Sequence, residues 1–120
     1  AKLKSANSSA KLVYTTVNNE VADLIVEGNE KDIKPSGGKA TASAVEVKSL
    51  TSSTLDAAVK KALSDNGNGA GYVYWTIDAT TSNITLAQWA STNGATIVGQ
   101  YPNPTSNYDK TNTIGSSISK

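Results

Sequence analysis

The 120-residue chain carries eleven basic residues, all lysine, against ten carboxylates, for a net charge of +1, and has no Cys, His, Met or Phe. That length suits one domain with a modest core. The missing cysteines exclude disulfides and thiolate chemistry, the missing histidines remove the commonest general base and metal ligand, and a near-neutral chain without arginine lacks the basic face that makes nucleic acid a main partner.

Residues 1–27, opening "AKLKSANSSAKLVYTT", form the first predicted element. Leu3, Ala6, Ala10, Val13, Val17, Val21 and Leu24 recur at steps of three and four, one stripe of a helix. Leu12 and Ile25 widen the stripe, and the charged residues fall largely off it. A helix of that length runs about 40 Å at roughly 1.5 Å per residue. Gly28 and Asn29 form its stop signal. Lysines at its start and acids at its end oppose the helix dipole, a layout that suits a lysine cluster standing in mid-helix.

Residues 28–70 read as a connector. "GNEKDIKPSGGKATAS" has the Pro and Gly content of a loop, and "SAVEVKSL" alternates like a short strand. A second helix is predicted over 54–64, capped by Ser53 or Thr54 and favoured by Asp56 in its first turn. Its apolar face is Leu55, Ala58, Val59, Ala62 and Leu63.

The period then changes from 3.6 to 2. "GYVYWTIDA" places Val73, Trp75 and Ile77 on one face, the core, and Tyr72, Tyr74 and Thr76 on the other. "NITLAQWAS" and "ATIVGQY" read as two further strands, with Asn93-Gly94 as a hairpin signal between them. Residues 71–101 are thus expected to be a three-stranded antiparallel meander. Residues 102–120 are Pro-, Asn- and Ser-rich and read as an irregular tail anchored by Tyr108 and Ile114. The expected fold class is α+β, a long helix and one face of a sheet of three to four strands burying each other.

Nothing in this pattern assembles an active site. "DNGNGAGY" (65–72) has three glycines, but it follows a helix and precedes a strand, the reverse of a phosphate loop, so it reads as a turn. Glu20, Asp23 and Glu27 share a helix face without a calcium-loop string, the pattern of a solvated acidic surface. "SSAK" (8–11) matches a Ser-Lys nucleophile pattern on the exposed side of a helix, with no supporting signature. Catalytic, cofactor-binding and metal-binding residues are therefore all expected to be none. Trp75 and Trp89 with Tyr72 and Tyr74 suggest a sugar-stacking platform on the sheet, against the plainer readings of core for Trp75, which shares its face with Val73 and Ile77, and of subunit contact for an exposed Tyr72–Tyr74 pair. "NSS" (7–9) and "NIT" (83–85) match glycosylation acceptors.

In layout the chain resembles the globular head of a type IV pilin. "AKLKSANSSAKLVYTTVNNEVADL" is similar to the amphipathic second half of the pilin helix, and "NITLAQWASTNGATIVGQYP" to the closing hairpin of pilins from Gram-positive anaerobes. The family's apolar N-terminal signature is absent from these residues, so no functional residue carries over. The resemblance implies about 25 to 30 further helical residues ahead of Ala1, as a membrane-inserting span requires. It further implies a structural subunit of an extracellular, cell-surface filament that serves adhesion or twitching motility. Its partners would be copies of itself through the N-terminal helix, the pilus assembly machinery, and a host cell or surface ligand. The head alone is expected to be monomeric. The alternatives are a type II secretion or competence pseudopilin of the same fold, and a small secreted carbohydrate-binding module.

Overall fold

A computed structural model describes residues 2–67 and 69–119. Helix α1 spans Lys2–Val26 and α2 Thr54–Asp65, and the strands are β1 (Val45–Glu46), β2 (Tyr72–Ile77), β3 (Ile84–Ala90) and β4 (Gly99–Tyr101). They form one antiparallel sheet in the order β1-β2-β3-β4. The fold is α+β: a long helix and a short one with a four-stranded sheet. The fourth strand is the "SAVEVKSL" segment, reduced to two residues because the chain winds into a 3-10 turn at Val47–Ser49, closed by the Leu50 amide on the Val47 carbonyl at 3.2 Å.

The predicted stripe of α1 is the buried one, with two exceptions. Ala6, Ala10, Val13, Val17, Val21 and Leu24 are buried, together with Ser9, whose hydroxyl donates to the Ser5 carbonyl at 3.3 Å. Leu3 is only half-buried. Ile25, expected to widen the stripe, is exposed, because the helix overruns the core in its last turn. That turn closes as a Schellman motif. The Asn29 amide bonds the Leu24 carbonyl at 2.8 Å and the Gly28 amide that of Ile25 at 3.1 Å, with Gly28 at φ +77°.

Helix α2 starts on the predicted cap. The Ser53 hydroxyl accepts the Asp56 amide at 3.1 Å. Its Leu55, Val59 and Leu63 join Val13, Val17 and Val21 of α1 and Val73 and Trp75 of β2 in the main core. Trp75 is fully buried as expected, and its indole N–H donates to the Lys34 carbonyl at 3.1 Å.

Paired residues of neighbouring strands share a face, which sorts the sheet into two sides. Val73, Trp75, Ala87, Trp89, Gly99 and Tyr101 face α1, while Tyr72, Tyr74, Gln88, Ala90 and Gln100 face away from it. The second face is covered as well. Ile114 and Ile118 of the tail pack with Ala90 and Val98, and Tyr72 and Tyr74 lie half-buried against them. The two tyrosines expected to be free for subunit contacts therefore serve an internal layer. Of the two predicted tail anchors, Ile114 is buried and Tyr108 is 62% exposed. Tyr108 sits on the rim, where its hydroxyl meets that of Thr96, and Ile118 does the anchoring instead.

The third predicted strand, 95–101, shrinks to Gly99–Tyr101. Asn93 and Gly94 do form a turn, closed by the Ala95 amide on the Thr92 carbonyl at 3.2 Å. Neither residue has the positive φ of a type I′ hairpin. The chain makes a wider loop, buries Val98 in the tail-side cluster, and pairs with β3 only from Gly99 onward.

Candidate functional site

The residues predicted as chemically suggestive do not converge. Among the described residues, no group of three or more His, Cys, Asp or Glu could hold a metal ion. Asp23 and Glu27 are exposed and Glu20 half-exposed. The hydroxyl of Ser8 donates to the Lys4 carbonyl at 3.1 Å, while Lys11 lies over the Tyr101 ring at 5.7 Å, so "SSAK" forms no pair. The string 65–72 joins α2 to β2. Its Asn68 lies outside the described residues, and Gly67 and Gly71 take positive φ. A Cβ on Gly71 would meet the Ala90 carbonyl and the Trp89 ring, each at 2.9 Å, so this glycine serves chain packing. Trp89 lies on the helix face of the sheet and Tyr72 and Tyr74 on the other, so the three aromatics form no platform.

What the fold builds is a surface held from behind by polar locks. The first ties β4 to α1. Gly99 crosses the helix so closely that a Cβ there would overlap the backbone of Ala6. Beside that crossing, both the oxygen and the nitrogen of the Asn7 amide group fix the strand. Its Oδ1 accepts the Gln100 and Thr105 amides at 2.9 and 3.1 Å, and its Nδ2 donates to the Thr105 carbonyl at 3.0 Å. Asn7 is therefore committed to the interior, whereas Asn83, in the second predicted acceptor, is exposed beside a turn. In that turn Asp78 accepts the Thr80 and Thr81 amides at 2.8 and 2.9 Å, and these bonds, Thr81 foremost, hold its pKa below the usual carboxylate range.

The second lock pins the tail. Gln88 and Gln100, the chain's two glutamines, sit opposite each other on β3 and β4, both fully buried or nearly so. Gln88 Nε2 donates to Gln100 Oε1 at 2.9 Å and to the Ser116 carbonyl at 2.6 Å, and its Oε1 accepts the Gly115 amide at 2.9 Å. Gln100 Oε1 accepts the Ile118 amide at 2.8 Å, and its Nε2 donates to the carbonyls of Ile118 and Asn103 at 2.7 and 2.9 Å. The two amides act as a strip of backbone turned sideways and give an irregular segment the partners a strand would supply. A cysteine-free tail is held this way.

The third lock covers the part of β2 that the two-residue β1 leaves unpaired. Ser36, fully buried in the connector, exchanges bonds with Trp75: its amide donates to the Trp75 carbonyl at 3.2 Å and its hydroxyl accepts the Trp75 amide at 3.2 Å. Such cover removes an open sheet edge. Nearby, the Asp56 carboxylate is fully buried. Its Oδ2 accepts the Ser52 amide at 3.2 Å, and its Oδ1 has no hydrogen-bond partner. Burial pushes its pKa up, against the opposing pull of the Ser52 and Gly37 backbone amides and the Ser53 hydroxyl.

The sequence reading missed Asn7, Ser36, Gln88 and Gln100. The one advance signal is that the only two glutamines fall in consecutive predicted strands. No helix among the described residues is long and apolar enough to cross a membrane. Comparisons with protein-family models, with curated proteins and with solved structures find no match.

Proposed function

We propose that this chain is the head of a filament subunit of the type IV pilin kind, exposed on the cell surface and acting through assembly. The observation that carries the reading is the order and stacking of its layers. A 25-residue helix leads the chain, lies lengthwise on an antiparallel meander by one apolar stripe, and is followed by a wrapping connector and a separately pinned tail. The outer stripe of α1 (Lys4, Ser8, Lys11, Thr15, Asn18) stays exposed and is free to meet neighbouring helices. The polar locks suit a structural role, because they fix irregular segments that form the outer surface of a polymer.

The test is immunogold labelling of cells of the source organism with antibodies raised against this chain, with the subunit in sheared filaments identified by mass spectrometry. Gold along surface filaments whose main subunit contains this sequence is the expected result. Gold confined to soluble secreted protein, with a cleaved signal peptide directly before Ala1, would overturn the reading.

A further inference from the structure

The two ends of α1 carry opposite and complementary features. At 25 residues and roughly 1.5 Å per residue the helix is about 37 Å long. The molecule measures 42 × 28 × 19 Å, so the helix must run along its long axis and mark both poles. At the N-terminal pole is a cleft of about 520 Å³, floored by Ala6, Trp89, Ala95 and Ile97 and rimmed by Lys2. The Trp89 indole N–H is buried there without an acceptor. At the other pole Ile25 and Val26 stand out at 44% and 87% exposure, on a last turn held rigid by the Schellman bonds.

Charge follows the same polarity. Lys2, Lys4 and Lys11 are the only charged residues before position 20, whereas the stretch from 20 to 32 around the exposed pair carries Glu20, Asp23, Glu27, Glu30 and Asp32 against the single Lys31. The C-terminal end of the helix dipole adds negative charge at the acidic end. Between two chains stacked head to tail this polarity is attractive.

We propose that the Ile25–Val26 knob of one copy seats in the Lys2–Trp89 cleft of the next, an assembly contact between two copies of this chain that rests on the filament reading above. Knob and hole are different surfaces, so the contact is heterologous and repeats without closing into a two-fold dimer. Two aliphatic side chains bury far less than the roughly 1,600 Å² of a standard stable interface. The contact is therefore weak in the free head and gains strength by repetition along a polymer.

Because the chain has no cysteine, disulfide trapping reads this contact directly. Val26→Cys and Ser91→Cys, the latter at an exposed position lining the cleft, are mixed at high concentration and low salt under mild oxidation. Circular dichroism confirms that each variant is folded. The expected product is the mixed dimer in several-fold excess over either homodimer, and a ladder from the doubly substituted chain. A bridge within one chain is excluded because the two poles far exceed the 7 Å Cα separation that a disulfide tolerates. Lys2→Glu with Lys4→Glu in the cleft-side copy lowers the mixed dimer several-fold, and Asp23→Lys with Glu27→Lys in the knob-side copy restores it.

Dimers in statistical proportion, or trapping indifferent to charge reversal and rescue, would overturn the contact. Gold-labelled filaments without selective trapping would leave the filament reading intact and reject this interface. Selective trapping without labelled filaments would keep the interface and reject the pilus.

Discussion

The sheet of this protein is covered on both faces, and the two covers hold by different means. On one side α1 lies against Val73, Trp75 and Ala87 through fully or almost fully buried apolar side chains repeated at helical spacing. On the other, a segment without regular structure is tied down by two glutamine amides and two isoleucines. Apolar burial is spread over many small, non-directional contacts. The amide lock concentrates its effect in a few directional bonds to buried backbone groups, where a lost partner costs about 1–3 kcal/mol for each group left bare. The helix side should therefore fail globally and the tail side locally.

The largest effect is expected where the helix side has no slack. Gly99→Ala forces a methyl into the Ala6 backbone, which cannot give way as a side-chain tip would. We expect a loss of about 3 kcal/mol or more, read as a lower urea midpoint with all spectroscopic probes moving together. A loss under 1 kcal/mol would show that β4 does not need this approach to α1.

Next comes the tail. Gln100→Ala strips partners from the Ile118 amide and carbonyl and the Asn103 carbonyl and takes the Oε1 acceptor from Gln88. Water reaching the loosened tail limits the cost to about 2–3 kcal/mol. The diagnostic is locality. Hydrogen exchange at Gly115 and Ile118 should accelerate while the middle of α1 keeps its protection. Gln88→Ala should add much less on top of Gln100→Ala than alone, since both act in one network. Uniform acceleration across the chain would break the contrast between the two faces.

The contrast also explains how much was legible in the sequence. The α1 stripe, the α2 cap and the inward face of β2 follow from periods of 3.6 and 2 and from one serine in a capping position. The tail lock leaves no period, because it joins side chains of two strands to the backbone of a coil. Gly94 and Gly99 show the limit most sharply. Gly94 sits in the stronger sequence signal, yet a Cβ there would touch nothing within 4 Å, whereas Gly99 looks like a strand interior and is the position where a side chain cannot fit. Close approach between elements distant in sequence is invisible in any local window. For the same reason Asn7 reads as one more polar residue on a helix. Asn7→Ala should cost about 1–3 kcal/mol by baring the Gln100 and Thr105 amides, a loss visible in the same urea titration.

The smallest effect separates burial from bonding at Asp56. Its folded pKa is raised above the ordinary 3.8, chiefly by burial, so the folded chain holds this proton more tightly than the unfolded one. The stabilisation from protonation is complete below the unfolded pKa and is lost as pH rises through the raised folded value. At neutral pH the buried carboxylate, with one oxygen unpartnered, costs stability that its Ser52 bond and its place in the first turn of α2 partly offset. Asp56→Asn keeps an acceptor for Ser52 and cannot titrate. Urea midpoints of both proteins from pH 7 down to pH 4 should therefore shift in favour of the native chain on acidification. Parallel curves, or a shift toward the asparagine variant, would mean that the hydrogen bonds outweigh burial and that the connector seals Asp56 less tightly than the geometry shows.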